Sequence, residues 1–165
     1  MPRAARGKTA VVDAAQDDVM RRRDEVLGLR PELAAAHARL LETIWAGPVS
    51  PVTLELCRLR MATLLASDAA LSERTPAARD AGLTEERIAL LPRWPTDPSF
   101  SAEERLCIGF VELFVIDHDQ ISDGDVQELT QLLTPQGVVT LTTALIAWDN
   151  QHRLDNALHV AATPG

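Results

Sequence analysis

Apolar residues recur every three or four positions through nearly the whole chain, and the runs break at Gly, Pro and Ser/Thr-Pro steps. Residues 10–27 are charged and amphipathic at helical spacing, and Gly28 stops them. Pro31 suits the first turn of a second helix, with Leu33, His37, Leu40, Leu41 and Ile44 as its inner face and Gly47 as its end. Ser50-Pro51 opens a third helix, Ser50 as N-cap and Pro51 at the first helical position, with Leu54, Cys57, Met61, Leu64 and Leu65 along one buried stripe. Thr75-Pro76 opens another that ends at Gly82, unless Ser67 or Ser72 caps it earlier. With the late start, Arg74 lies in a loop from which it can swing toward Glu55. Thr84-Glu85-Glu86-Arg87 opens a short helix with acidic residues in its first turn, where the dipole favours them. Ser101-Ala102-Glu103-Glu104 fits a capping box for a helix carrying Leu106, Cys107, Phe110, Leu113 and Phe114 inward. Ser122 caps the next helix and Thr134-Pro135 the last, about residues 136–160. No alternating segment is long enough to nominate a strand, so the pattern predicts an all-α domain of about seven or eight helices.

At 165 residues the chain has the size of one domain, assigned to residues 9–165 after a short basic leader at residues 1–8. No apolar run reaches the length of a membrane span and no secretory signal opens the sequence, so a cytoplasmic protein without a membrane partner is expected. A net charge of −8 opposes nucleic acid as a partner, and Arg21, Arg22 and Arg23 read as a solvated helix face, offset by Asp17, Asp18, Asp24 and Glu25. The two cysteines, Cys57 and Cys107, lie far apart inside apolar patterns and read as buried free thiols of a reducing compartment.

Glu55 is the first candidate for chemistry. A carboxylate bordering the apolar face of a helix would have its pKa raised and could act as acid or base. Equally, it could pair with Arg58, three residues on and on the same side of the helix, or with Arg74, and simply tie helices together. Arg58 could orient the carboxylate or bind an anionic ligand. His118 stands between two aspartates in what reads as an exposed turn. Asp149, His152, Arg153 and Asn156 form a polar stripe on the last helix that reads as a solvated face or a subunit contact. His152 and His159 are seven apart, and with no third ligand neither a metal nor a cofactor is expected.

The stretch from Glu55 to Gly82 resembles the alkylhydroperoxidase-D-like branch of the carboxymuconolactone decarboxylase family. That frame has a Glu on one helix, then Cys-x-x-Cys, His and Ala-Arg-x-x-Gly. Here Ala78-Arg79-Asp80-Ala81-Gly82 keeps the end of it, followed by Trp94, Phe100-Ser101-Ala102-Glu103-Glu104-Arg105 and Asn150-Gln151-His152-Arg153 in the family's order. Counted back from Gly82, the two Cys positions fall on Ser67 and Ala70 and the His position on Arg74, while Glu55 stands where the proton-relay Glu belongs. The resemblance implies an all-α fold, a small-molecule ligand, and assembly into homo-dimers, trimers or hexamers. It also implies that thiol peroxidase chemistry is missing: Ser67 cannot supply a thiolate, Ala70 cannot resolve a disulfide, and Cys57 points about 200° away from Glu55 on a helix. Arg74 cannot act as a base in place of His, though it can hold an anion. The expected function is therefore action on a small organic acid or carbonyl metabolite, of decarboxylase, lyase or isomerase type, with Glu55 as acid or base and Arg58, Arg74 and Ser67 at the substrate. Ranked behind it are a catalytically inactive ligand-binding or structural protein and, last, a peroxidase using Cys57 or Cys107.

Overall fold

Burial of one helix on nearly all sides organises the molecule, which a computed structural model describes over residues 21–158. The expected leader, the start of the first helix and His159 lie outside the described residues. Helix α1 covers residues 21–27. It is followed by α2 (Pro31–Trp45), α3 (Pro51–Leu64), α4 (Asp68–Ser72), α5 (Pro76–Asp80), α6 (Glu85–Ile88), α7 (Ala102–Ile116) and α8 (Asp123–Ala157). The described residues contain no strand.

α3 is the central helix because its sequence is apolar almost all round. Val52, Leu54, Leu56, Cys57, Leu59, Met61 and Ala62 are all buried, against α7 and α8 above all. Full burial of a side chain such as Leu54 or Leu56 is worth about 1.5–3 kcal/mol, so this helix supplies much of the core. α7 starts at the expected capping box: Ser101 Oγ accepts from Glu104 N (3.1 Å), and the Glu104 carboxylate accepts from Ser101 N (2.8 Å). Gly109 lets this helix approach a ring closely, since a Cβ there would meet Trp94 at 3.3 Å. Trp94 in turn donates from Nε1 to Glu112 (2.9 Å).

α8 is two helices in one line of sequence. Its run is interrupted at Thr134 (φ 66°, ψ 161°), whose hydroxyl accepts from Gly137 N (3.3 Å) with Pro135 next in the chain. This is the cap that Thr134-Pro135 predicts. α2 departs from its sequence pattern: Ile44 is buried, but Leu33 and Leu40 are exposed, because α2 lies on the outside and meets chiefly α8. Trp45 and Trp148 close that contact, ring centroids 5.8 Å apart.

The region from α3 to α5 is built from short pieces. α3 ends with Ala66 in the left-handed region (φ 50°), which turns the chain so that Ser67 N donates to Ala62 O (2.9 Å). Ser67 then caps α4, and Thr75 begins α5. The late start expected at Thr75-Pro76 is thus found, and the alternative cap Ser67 opens a separate short helix before it, with Glu73, Arg74 and Thr75 in the connection between the two.

Candidate functional site

Glu55 and Arg58 sit one turn apart on α3, and both are buried, at 1 % and 5 % exposure. Arg58 Nε donates to Glu55 Oε2 (2.8 Å) and Nη2 to Oε1 (2.7 Å), a bidentate pair. The connection folds over this pair and completes it. Thr75 donates to Glu55 from its hydroxyl (2.8 Å) and its amide (3.2 Å), which is why its hydroxyl does not cap α5. Arg58 donates onward to the carbonyls of Ala70 (2.9 Å) and Glu73 (3.0 Å). Burial alone would raise the Glu55 carboxyl, but the charge and hydrogen bonds of Arg58, then those of Thr75, hold it below the usual carboxylate range. The raised pKa expected of an unpaired carboxylate is therefore reversed, and of the two readings of Glu55 the geometry is that of the ion pair.

Of the positions equivalent to the two cysteines, Ala70 offers its carbonyl to the Arg58 guanidinium. Ser67 and Ala70 are fully buried, and Ser67 Oγ faces Ala70 N at 3.5 Å as a helix cap. Arg74 does lie in the connection, as expected, but turns away from Glu55. Its Nε and Nη2 donate to the two oxygens of Glu85 (2.8 and 3.0 Å), and its Nη1 to Leu71 O (2.7 Å). Glu85 is exposed at 59 % of its side chain. Arg60 and Arg74 line a cleft of about 180 Å³ whose walls include Leu59, Leu71, Ile88 and Leu91.

A second set of buried charges joins this one from α1 and α8. Arg23 is not on a solvated face: it is 9 % exposed, donating from Nε to Asp155 Oδ1 (3.0 Å) and from Nη2 to Oδ2 (2.5 Å), with Nη1 against Glu73. Burial opposes its charge, but hydrogen bonds and charge from Asp155, with Glu73, raise its pKa regardless. His152 is fully buried rather than part of a polar surface stripe, and neither ring nitrogen has a hydrogen-bond partner among the described residues. Burial first, then the charges of Arg58 and Arg23, push its pKa down to about 3, so it is neutral. Glu55, Arg58, Arg23, Asp155 and His152, with the partly buried Glu73, thus form one polar cluster.

The remaining candidates lie apart from it. His118 is exposed beside Asp119, and Arg153 is exposed and paired with Asp149 (2.8 Å). Asn156 donates to Leu65 O (2.8 Å), tying α8 to the end of α3. Cys57 and Cys107, distant in sequence, meet in the core between α3 and α7. Burial, and then the neighbouring Cys107, push the Cys57 thiol well up, the reverse of what a peroxidatic thiolate needs.

Sequence reading missed Arg23, Glu73 and Asp155. A signal existed for one of them: the buried stripe Leu141, Ala144, Leu145 and Trp148, carried forward in steps of three and four, lands on His152 and Asp155. Nothing comparable marks Arg23, which looks like its charged neighbours.

Among the described residues no group of three or more His, Cys, Asp or Glu side chains is arranged to hold a metal ion. No described helix is long and apolar enough to cross a membrane.

The fold has solved relatives. One is an Agrobacterium tumefaciens protein of unknown function, suggested to be the antioxidant defence protein AhpD: TM-score 0.72 and 19 % identity, over 85 % of this chain and 96 % of that one. Another is the debrominase Bmp8, solved as a Cys-to-Ala variant with 2,3,4-tribromopyrrole: TM-score 0.68 and 14 % identity, over 86 % of this chain and 81 % of that one. No curated protein matches the sequence. Residues 31–112, the span from α2 to the third turn of α7, match the carboxymuconolactone decarboxylase family. With the helical order and the motif frame from Glu55 to Gly82 on the same residues, the chain belongs to that family, as a divergent member without its Cys-x-x-Cys pair and His.

Proposed function

We propose that this protein binds a small, largely apolar organic acid beside Arg74 and carries out no thiol redox chemistry. The observation that carries the reading is the contrast between its two arginine–carboxylate pairs. Arg58 is bound to a buried carboxylate and two carbonyls, and removing Glu55 from it would strand a charge in the core. Arg74 also donates to two carbonyls, those of Leu71 and Glu73, but the carboxylate it pairs with, Glu85, is exposed and gives up little on leaving, so an incoming carboxylate can take the place of Glu85 at small cost while the carbonyls keep the guanidinium in position. The apolar walls beside Arg74 would take the rest of a compact acid. Glu55, Arg58 and Ser67 then hold the scaffold rather than the ligand.

Decarboxylase, lyase or isomerase chemistry with Glu55 as base is the second reading, favoured by a carboxylate held ionised at the family's relay position. It requires Arg58 and Thr75 to release Glu55 during the reaction. Calorimetry with benzoate as the probe tests the first reading. Saturable binding abolished by Arg74→Gln is expected; binding abolished by Glu55→Gln in a folded variant, with Arg74→Gln silent, would favour the second. Peroxide consumption with a dithiol reductant is expected to be absent, and turnover lost in Cys57→Ser would overturn both.

A further inference from the structure

A cleft of about 260 Å³ lies on another side of the molecule, where α1, α2 and α8 meet. Leu27, Leu33 and Leu154 form its apolar walls, and Arg23, His37 and Gln151 its polar end. The polar end is built from hydrogen bonds rather than from stray surface groups. With the Gln151 amide oriented to satisfy its neighbours, its oxygen accepts from Arg23 Nη1 (3.0 Å) and its nitrogen donates to His37 Nε2 (3.2 Å). That orientation makes Nε2 an acceptor and leaves His37 Nδ1 carrying a proton for a ligand. His152, next to Gln151 in sequence and within reach of the Arg23 charge, is buried with both ring nitrogens unpartnered among the described residues.

The charges decide what kind of ligand fits. Arg23 is nine-tenths buried, and its guanidinium is already given to Asp155 and Glu73. In the polar cluster three carboxylates, those of Glu55, Glu73 and Asp155, face two guanidinia among the described residues. An anion entering here meets a guanidinium already committed to carboxylates and an excess of negative charge behind it. A neutral oxygen meets the His37 Nδ1–H, with apolar walls for the attached carbon skeleton.

We propose that this cleft is a binding site for a compact, largely apolar molecule bearing one neutral hydroxyl or carbonyl oxygen, separate from the Arg74 cleft. The oxygen accepts from His37, and a ring packs between Leu27, Leu33 and Leu154. Arg23 and Gln151 fix the His37 tautomer by way of their hydrogen-bond chain, and so position the donor.

Titration of the whole chain with phenol, followed by calorimetry and by imidazole nitrogen resonances, tests this. Saturable binding that shifts the His37 signals is expected, weakened about tenfold in His37→Leu, which keeps the wall but removes the donor. Leu33 is 55 % exposed, so Leu33→Asn changes the wall without touching the core and is expected to weaken phenol similarly. Arg74→Gln and saturating benzoate are expected to leave phenol binding unchanged, which separates this site from the one proposed above. Non-saturable binding, indifference to both His37→Leu and Leu33→Asn, or displacement of phenol by benzoate would each overturn the proposal.

Discussion

Glu55 is paired along its own helix, three residues from Arg58, so the two charges enter the core together and neither can relax into water. Two carbonyls accept further protons of Arg58, and the Thr75 hydroxyl and amide donate to the carboxylate. A pair completed in this way costs little to keep and much to break. Glu55→Gln keeps the shape but leaves the Arg58 charge uncompensated, and is expected to lower stability by about 3 kcal/mol in urea unfolding. A loss below about 1 kcal/mol would mean that water reaches Arg58. The sequence left the Glu55 partner open because Arg58 and Arg74 were both near it. The choice between them is made by Glu85, which the first turn of α6 brings to Arg74, and that is a tertiary fact with no local signature.

Most helix starts were legible, because caps are local chemistry: Ser101, Ser122 and Thr134 all accept the backbone hydrogen bonds their sequence contexts predict. Burial was less legible. α2 has an inner-face pattern yet exposes Leu33 and Leu40, since only its neighbours decide how much of that face is covered. Thr75-Pro76 marked the start of α5, but nothing local showed that Thr75 would serve Glu55 instead of its own helix. The link from α3 to α4 carries a local cost that can be measured. Ala66 occupies the left-handed position after α3 that glycine fills most easily, and it is exposed, so no packing depends on its methyl group. Ala66→Gly is expected to raise stability by about 1 kcal/mol in thermal unfolding. A destabilised variant would mean that the turn is held by something other than its backbone geometry.

At the scale of the whole molecule, the polar cluster joins α1, α3, the α4–α5 connection and α8, so its protonation acts on global stability. The His152 pKa drops from the ordinary imidazole value of 6.5 to about 3 on folding. Between these values the unfolded chain binds a proton that the native state refuses, so stability falls as pH falls, by up to about 1.4 kcal/mol per pH unit. By pH 5 the loss is about 2 kcal/mol relative to neutral solution. Glu55 acts in the same direction but in a lower window. Its folded pKa lies below the usual 4.5, so its contribution is present above that value and is lost only as pH falls through the folded one. The slope between about pH 5 and 6.5 is therefore larger for His152 than for Glu55, which adds only a small part near pH 5. Replacing His152 by leucine removes both the titration and two unsatisfied ring nitrogens. Urea unfolding of His152→Leu across this range is expected to lose about 2 kcal/mol less than the wild type between pH 7 and pH 5. Parallel profiles for the two proteins would mean that His152 meets solvent or a proton-sharing partner in the native state, and would separate it from the charges of Arg23 and Arg58.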